Sequence, residues 1–103
     1  MRTNLAHKRD KNHADVHGWF YGMGCSVFDT SALGRGFPDL VVGVNGLNLM
    51  VEVKTPAGKL TRQQRELFAV WRGKIHVVCT MDDCIALVLA ARATDLPVHD
   101  SQL

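Results

Sequence analysis

The stretch Gly36–Thr61, "GFPDLVVGVNGLNLMVEVKTPAGKLT", decides the fold. Two apolar runs, Asp39–Val44 and Leu47–Lys54, flank Asn45-Gly46. Asn-Gly between apolar runs predicts a β-hairpin, because a type I′ turn needs positive φ at both central residues. A two-residue turn pairs Val44 with Leu47, and by the same register sets Asp39 opposite Glu52. Opposed side chains share a face, with Cβ atoms about 4.5–5.5 Å apart. Lys54, two residues past Glu52, points the same way. The other face carries Leu40, Val42, Val44, Leu47, Leu49, Val51 and Val53 without a polar residue, and is predicted to be core.

Like charges directly opposite on a sheet destabilise it. One carboxyl can hold a proton, Lys54 can pair with one of them, or a divalent cation can sit between them. Mg²⁺ is a hard ion that takes a few carboxylates and keeps waters ready to give way to phosphate oxygens. Asp39, Glu52 and the backbone carbonyl of Val53 make such a donor set. Lys54 beside it can orient water or stabilise charge developing on a phosphate. The rival reading of the same residues is an ion-paired edge hairpin.

Outward from the hairpin, Val16, Trp19, Phe20 and Met23 mark one face of a helix, with Asn12 as its expected cap and Gly24 as its end. Cys25–Asp29 reads as a short strand, followed by a Gly-bearing loop that exposes Arg35. Thr61 is expected to cap a helix running to about Arg72, with Leu60, Leu67, Phe68 and Trp71 on its buried side. "KIHVVC" reads as a strand, and Thr80 with Asp83 as a capping box opening an apolar helix to about Ala91. The order α-β-β-β-α-β-α predicts one α/β domain over residues 1–103, with its core at about 8–92, a loose tail at 93–103 and a mixed sheet flanked by helices. The last helix, "CIALVLAARA", is apolar on nearly all sides, which suggests burial on more than one side, with either a second subunit or the folded-back tail "LPVHDSQL" against it.

With 103 residues, 47% of them hydrophobic and 21% charged, the chain is expected to be globular. No apolar run approaches the roughly 20 residues of a membrane span, and the polar start has no h-region of a secretory signal. Cys25, Cys79 and Cys84 have no C-x-x-C spacing, so they read as buried small residues in a reducing cytoplasm. Residues 1–75 hold eleven Lys/Arg against six Asp/Glu, and residues 76–103 hold one against four. The basic part can face a polyanion. Arg2, Lys8, Arg9, Lys11, Arg35, Lys59, Arg62 and Arg65 are candidate contacts to a DNA backbone. His13 and His17, i and i+4 with Asp15 between them, read as a helix face or a phosphate contact. Asp82 and Asp83 suit the first turn of a helix.

Pro38-Asp39 and Glu52-Val53-Lys54 resemble the motif of the PD-(D/E)XK nucleases, and the element order resembles their restriction-endonuclease-like core. The resemblance narrows to the VRR-NUC group, the virus-type replication-repair nucleases, over roughly residues 8–80. "GRGFPDLVVG" and "EVKTPAGKLTRQQ" are similar to the group's two signature runs, the second placing its glutamine at Gln64 or its neighbour Gln63. Helical phase favours Gln64, which shares a face with Leu60, Leu67, Phe68 and Trp71. The group's opening helix bears an acidic residue, for which Asp15 is the match, although His13 and His17 stand nearby. The resemblance implies a Mg²⁺- or Mn²⁺-dependent DNA endonuclease. Asp39 and Glu52 would hold metal with the Val53 carbonyl, and Asp15 is a candidate to complete the shell. Lys54 and Gln64 would complete the catalytic set. Similarity to compact phage and prophage members implies a homodimer acting on branched DNA such as four-way junctions. The alternatives are a non-catalytic DNA-binding module of the same fold and a sequence-specific restriction-type nuclease.

Overall fold

The computed structural model describes the backbone of residues 3–95 and the side chains of residues 11–95. The elements follow as α1 (Thr3–Gly22), β1 (Ser26–Asp29), a 3₁₀ turn (Ser31–Leu33), β2 (Leu40–Val44), β3 (Leu47–Val53), α2 (Arg62–Val70), β4 (Ile75–Val78) and α3 (Met81–Arg92). The sheet order is β1-β2-β3-β4, antiparallel except for β4, which runs parallel to β3. This is the mixed sheet and element order expected.

The hairpin forms in the predicted register, from Val44↔Leu47 to Leu40↔Val51. Asn45 (φ 53°) and Gly46 (φ 74°) both take the left-handed conformation that a type I′ turn demands. The apolar face is the core: Leu40, Val42 and Val51 are fully buried, with Leu49 and Val53 beside them. Val16 and Phe20 of α1 and Cys84, Val88 and Ala91 of α3 close over that face. The Asn45 amide donates to the carbonyl of Ala91 at 2.9 Å, so the turn also caps α3. Cys25 and Cys84 are buried, Cys79 is half-buried, and all three are free thiols.

Two expectations are corrected. The first concerns α1, which begins at Thr3, so Asn12 lies inside it and caps nothing. The good helix formers Ala6, Lys8, Arg9 and Lys11 carry the helix upstream, and the Asn12 side chain bonds elsewhere. The end of α1 is as expected, a Schellman turn with Gly24 at φ 86°, Gly24 N–H on Tyr21 and Cys25 N–H on Phe20. The second correction is to α2, which ends at Val70 and buries no residue fully. Leu60, Leu67 and Phe68 are half-buried. Trp71, expected on the buried side, is 40% exposed and packs T-shaped with Phe37, ring centroids 6.3 Å apart. A nine-residue helix at the rim has no layer beyond it to bury a tryptophan. α3 buries Cys84, Val88 and Ala91 and leaves Leu89 and Met81 exposed. Most of the tail, residues 96–103, lies outside the described residues. Among the described residues, no helix is long and apolar enough to cross a membrane.

Candidate active site

Beyond Leu40↔Val51 the hairpin ladder opens. Pro38 has no N–H to give, and the Asp39 carbonyl turns to β1, accepting from the Thr30 N–H at 2.8 Å. Thr30 Oγ1 donates to the Pro38 carbonyl at 2.7 Å and fixes that bend. Val53 is left without a ladder acceptor on its β2 side. The Asp39 carboxylate replaces it, accepting from the Val53 N–H at 2.9 Å. An aspartate thus stands where a strand would otherwise continue.

Glu52 sits beside it, 1% exposed. Its Oε2 accepts from Gln64 Nε2 at 2.7 Å and lies 3.2 Å from Lys54 Nζ. Its Oε1 is buried with no partner. A buried polar atom left unpaired is costly, and native structures rarely keep one without a use. Burial pushes the Glu52 carboxyl up, the Asp39 charge adds to this and Lys54 opposes it, leaving it at about 7.

Gln64 does two jobs with one amide. Its Oε1 accepts from the Thr61 N–H at 2.8 Å, completing the capping box that starts α2, while Nε2 holds Glu52. Gln63, one position off, is exposed. The Gly36 loop is pressed on this first turn: a Cβ at Gly36, whose φ is 81°, would lie 2.6 Å from the Gln63 carbonyl oxygen. Only glycine allows that approach.

These groups line a cleft of about 590 Å³ at the open end of the hairpin. Its walls bring in Asp29 at the end of β1, Ser31 after it, Asn12 and His13 from α1, Gly34–Phe37, and Thr55, Gly58 and Thr61. Asp29 accepts from the Ser31 hydroxyl and N–H, which hold its carboxyl below the usual range. His13 Nε2 is buried, without a hydrogen-bond partner, 3.8 Å from Asp29.

The structure therefore brings Asp39, Glu52, Val53, Lys54 and Gln64 together, as the register arithmetic implied. It does not place Asp15 in the cleft wall: Asp15 is half-buried on α1 and paired with Lys11 at 3.2 Å, and Asn12 and His13 are the α1 side chains in the cleft wall. Asn12, read as a cap, and Ser31, within the loop after β1, were not singled out for the site because those local roles explained them. Arg35 lines the cleft mouth, and Lys59 is exposed next to Gly58 of its wall. Arg62 pairs with Glu66 at 3.1 Å, and Arg65 donates to the Leu60 carbonyl at 2.8 Å, both on the exposed side of α2. The side chains of Arg2, Lys8 and Arg9 lie outside the described residues.

A hairpin that opens on an aspartate, with Glu-x-Lys on the facing strand and a helix-borne glutamine behind it, on a sheet covered by helices in this order, defines a nuclease of the PD-(D/E)XK type. Within that class the chain belongs to the VRR-NUC domain family, whose model matches residues 10–83. Neither the curated proteins nor the solved structures yield a match. PD-(D/E)XK nucleases act on nucleic acid and generally use a divalent metal. Among the described residues no three His, Cys, Asp or Glu side chains form a metal cage by themselves. The donor set fits a hard ion that keeps several waters: two carboxylates, one with an orphaned buried oxygen, beside an open cleft.

Proposed function

We propose that the protein is a Mg²⁺- or Mn²⁺-dependent endodeoxyribonuclease that acts as a homodimer on branched DNA. The observation that carries the reading is the unpaired, buried Oε1 of Glu52 beside Asp39 at the cleft. Asp39 and Glu52 would hold the metal, joined by the Val53 carbonyl. In an extended residue the carbonyl projects to the same side as the N–H, and the Val53 N–H already meets Asp39. A bound Mg²⁺ polarises a phosphate oxygen and lowers the pKa of a water.

The remaining work falls to the chain. Lys54, with its stem half-buried and its ammonium against Glu52, offers donors to the attacking water or to the charge growing on the phosphate. Gln64 holds Glu52 and keeps the pair from drifting. Arg35, Lys59 and the basic side of α2 suit phosphate contacts, which position DNA without reading sequence. The apolar side of α3 left open at Met81 and Leu89 supports a second subunit there, and a two-fold axis would set two sites for paired cuts.

Purified protein with labelled four-way junction, flap, single strand and linear duplex, each with Mg²⁺, Mn²⁺ or EDTA, tests the reading. Metal-dependent cuts in the branched substrates are expected, with light scattering giving a dimer. Binding without cleavage favours the DNA-binding module, and one preferred linear sequence favours the restriction-type enzyme.

A further inference from the structure

The catalytic strand ends at Val53, one residue before the lysine that the proposed mechanism needs. Lys54 leads into Thr55-Pro56 and an exposed loop, so nothing in the strand itself fixes its backbone. Three elements fix it from outside. Asp39 takes the Val53 N–H. The Val78 carbonyl of β4 takes the Lys54 N–H at 2.9 Å. From α1, Asn12 Nδ2 donates to the Lys54 carbonyl at 3.1 Å, across 42 residues of chain.

The chemistry allows no other arrangement of that last contact. A backbone carbonyl only accepts, so the amide nitrogen must face it. Asparagine inside a helix is a poorer helix former than the lysine and alanine around it, and Asn12 caps nothing. Its side chain is half-buried in the cleft wall. It is the α1 side chain, among those described, that hydrogen-bonds the catalytic hairpin.

We propose that Asn12 is a positioning residue for the cleavage reaction: by clamping the Lys54 carbonyl it sets the peptide from which the Lys54 ammonium reaches the scissile phosphate. This rests on the nuclease reading above. Without the clamp the peptide between Lys54 and Thr55 can turn. The ammonium then samples positions away from Glu52, and displacement of a reacting group by about 1 Å can cost on the order of a hundredfold in rate.

The test uses the full chain with Asn12→Leu, which matches the shape and favours the helix, and Asn12→Asp, which matches the shape and removes the donor. Asn12→Gln serves as the donor-keeping control. Cleavage kinetics are read beside hydrogen exchange at the Val53 and Lys54 amides. Asn12→Leu is expected to lower kcat by about ten- to a hundredfold with KM for DNA nearly unchanged. Exchange is expected to quicken at those two amides while the core valines stay protected, with Asn12→Gln recovering part of both. Wild-type kcat in Asn12→Leu and Asn12→Asp, with unchanged exchange, overturns the proposal. So does a loss of rate that follows a general loss of protection, because that is a merely structural role. If the wild-type protein cuts no DNA with either metal, the nuclease reading fails instead, and the exchange at Val53 and Lys54 alone decides the clamp.

Discussion

The two ends of the β2–β3 hairpin obey different rules. At the closed end, Val44 pairs with Leu47 across Asn45-Gly46, both turn residues sit at positive φ, and the backbone groups are met by the ladder. At the open end the ladder stops after Leu40↔Val51, and side chains take over its hydrogen bonds: Asp39 for Val53, Thr30 for Pro38, Asn12 for Lys54. The closed end is built by the turn and the ladder. The open end carries a buried glutamate with an unpaired oxygen next to a second carboxylate, an arrangement that lowers stability and has a purpose only if something binds there. Strand pairing has been given up where chemistry needs room.

The sharpest way to break this comparison is to remove the two carboxylates. Asp39→Ala and Glu52→Gln are each expected to lower cleavage by about a thousandfold or more, since each removes a group that holds charge at the reacting phosphate. Their stabilities should part in opposite directions. Asp39→Ala leaves the Val53 N–H unmet and costs about 1–3 kcal/mol. Glu52→Gln removes a buried charge at nearly constant shape and should melt higher than the wild type in EDTA. Lys54→Ala should cost about a hundredfold. Gln64→Ala should cost less, because it acts through Glu52. Cleavage assays and thermal melts on the four variants check the ranking. Near-wild-type cleavage by either carboxylate variant would remove the proposed site.

Next in size is a pH effect confined to the open end. Glu52 has its carboxyl raised from 4.5 to about 7 in the folded chain. Between those values the folded state binds the proton that the unfolded state has released. The contribution of Glu52 to the stability of the metal-free protein therefore falls as pH rises from about 4.5 to 7 and levels off above, by linkage. Melts in EDTA across that range should show a drop of several degrees in the wild type that is absent in Glu52→Gln. Parallel curves for the two proteins would mean that Glu52 is solvated in solution.

What was legible in the sequence follows the same division. Period-2 patterning and one turn dipeptide gave the register, and with it Asp39 beside Glu52, because both rules are local. Gln64 came from the resemblance to the family's second signature run, and helical phase only chose it over Gln63, since Gln64 shares the half-buried side of α2 with Leu67 and Phe68. Asn12 was not legible: beside an apolar helical face an asparagine looks like a cap, and its real partner lies 42 residues away. Asp15 looked like the helix-borne acid, yet the phase of α1 over the sheet turns Asn12 and His13 to the cleft and leaves Asp15 with Lys11. Trp71 looked buried because its helix was read as amphipathic, while burial also needs a layer to cover it. In each case the missing information was which elements meet, and a local pattern does not contain it.

The smallest effect expected is at the closed end, and it separates the two kinds of work at Asn45. That residue supplies a left-handed turn conformation (φ 53°) and an amide that caps α3 through Ala91. Asn45→Gly keeps the first and removes the second, since glycine takes positive φ freely. Loss of the bonds from the Asn45 amide to the Ala91, Arg92 and Thr94 carbonyls, of which the first is partly buried, then costs about 0.5–1.5 kcal/mol, less whatever water at the C-terminus of α3 restores. Asn45→Ala removes both and adds the strain of a Cβ in the left-handed region, about 1 kcal/mol more. For a chain of this size each kcal/mol moves the melting temperature by about 4–8 °C, so the two variants should melt in the order wild type, Gly, Ala. Cleavage below both melting temperatures should stay at the wild-type rate, because neither change reaches Asp39 or Glu52 at the other end. A fall in rate at Asn45→Gly without a matching fall in melting temperature would show that the closed end also tunes the site.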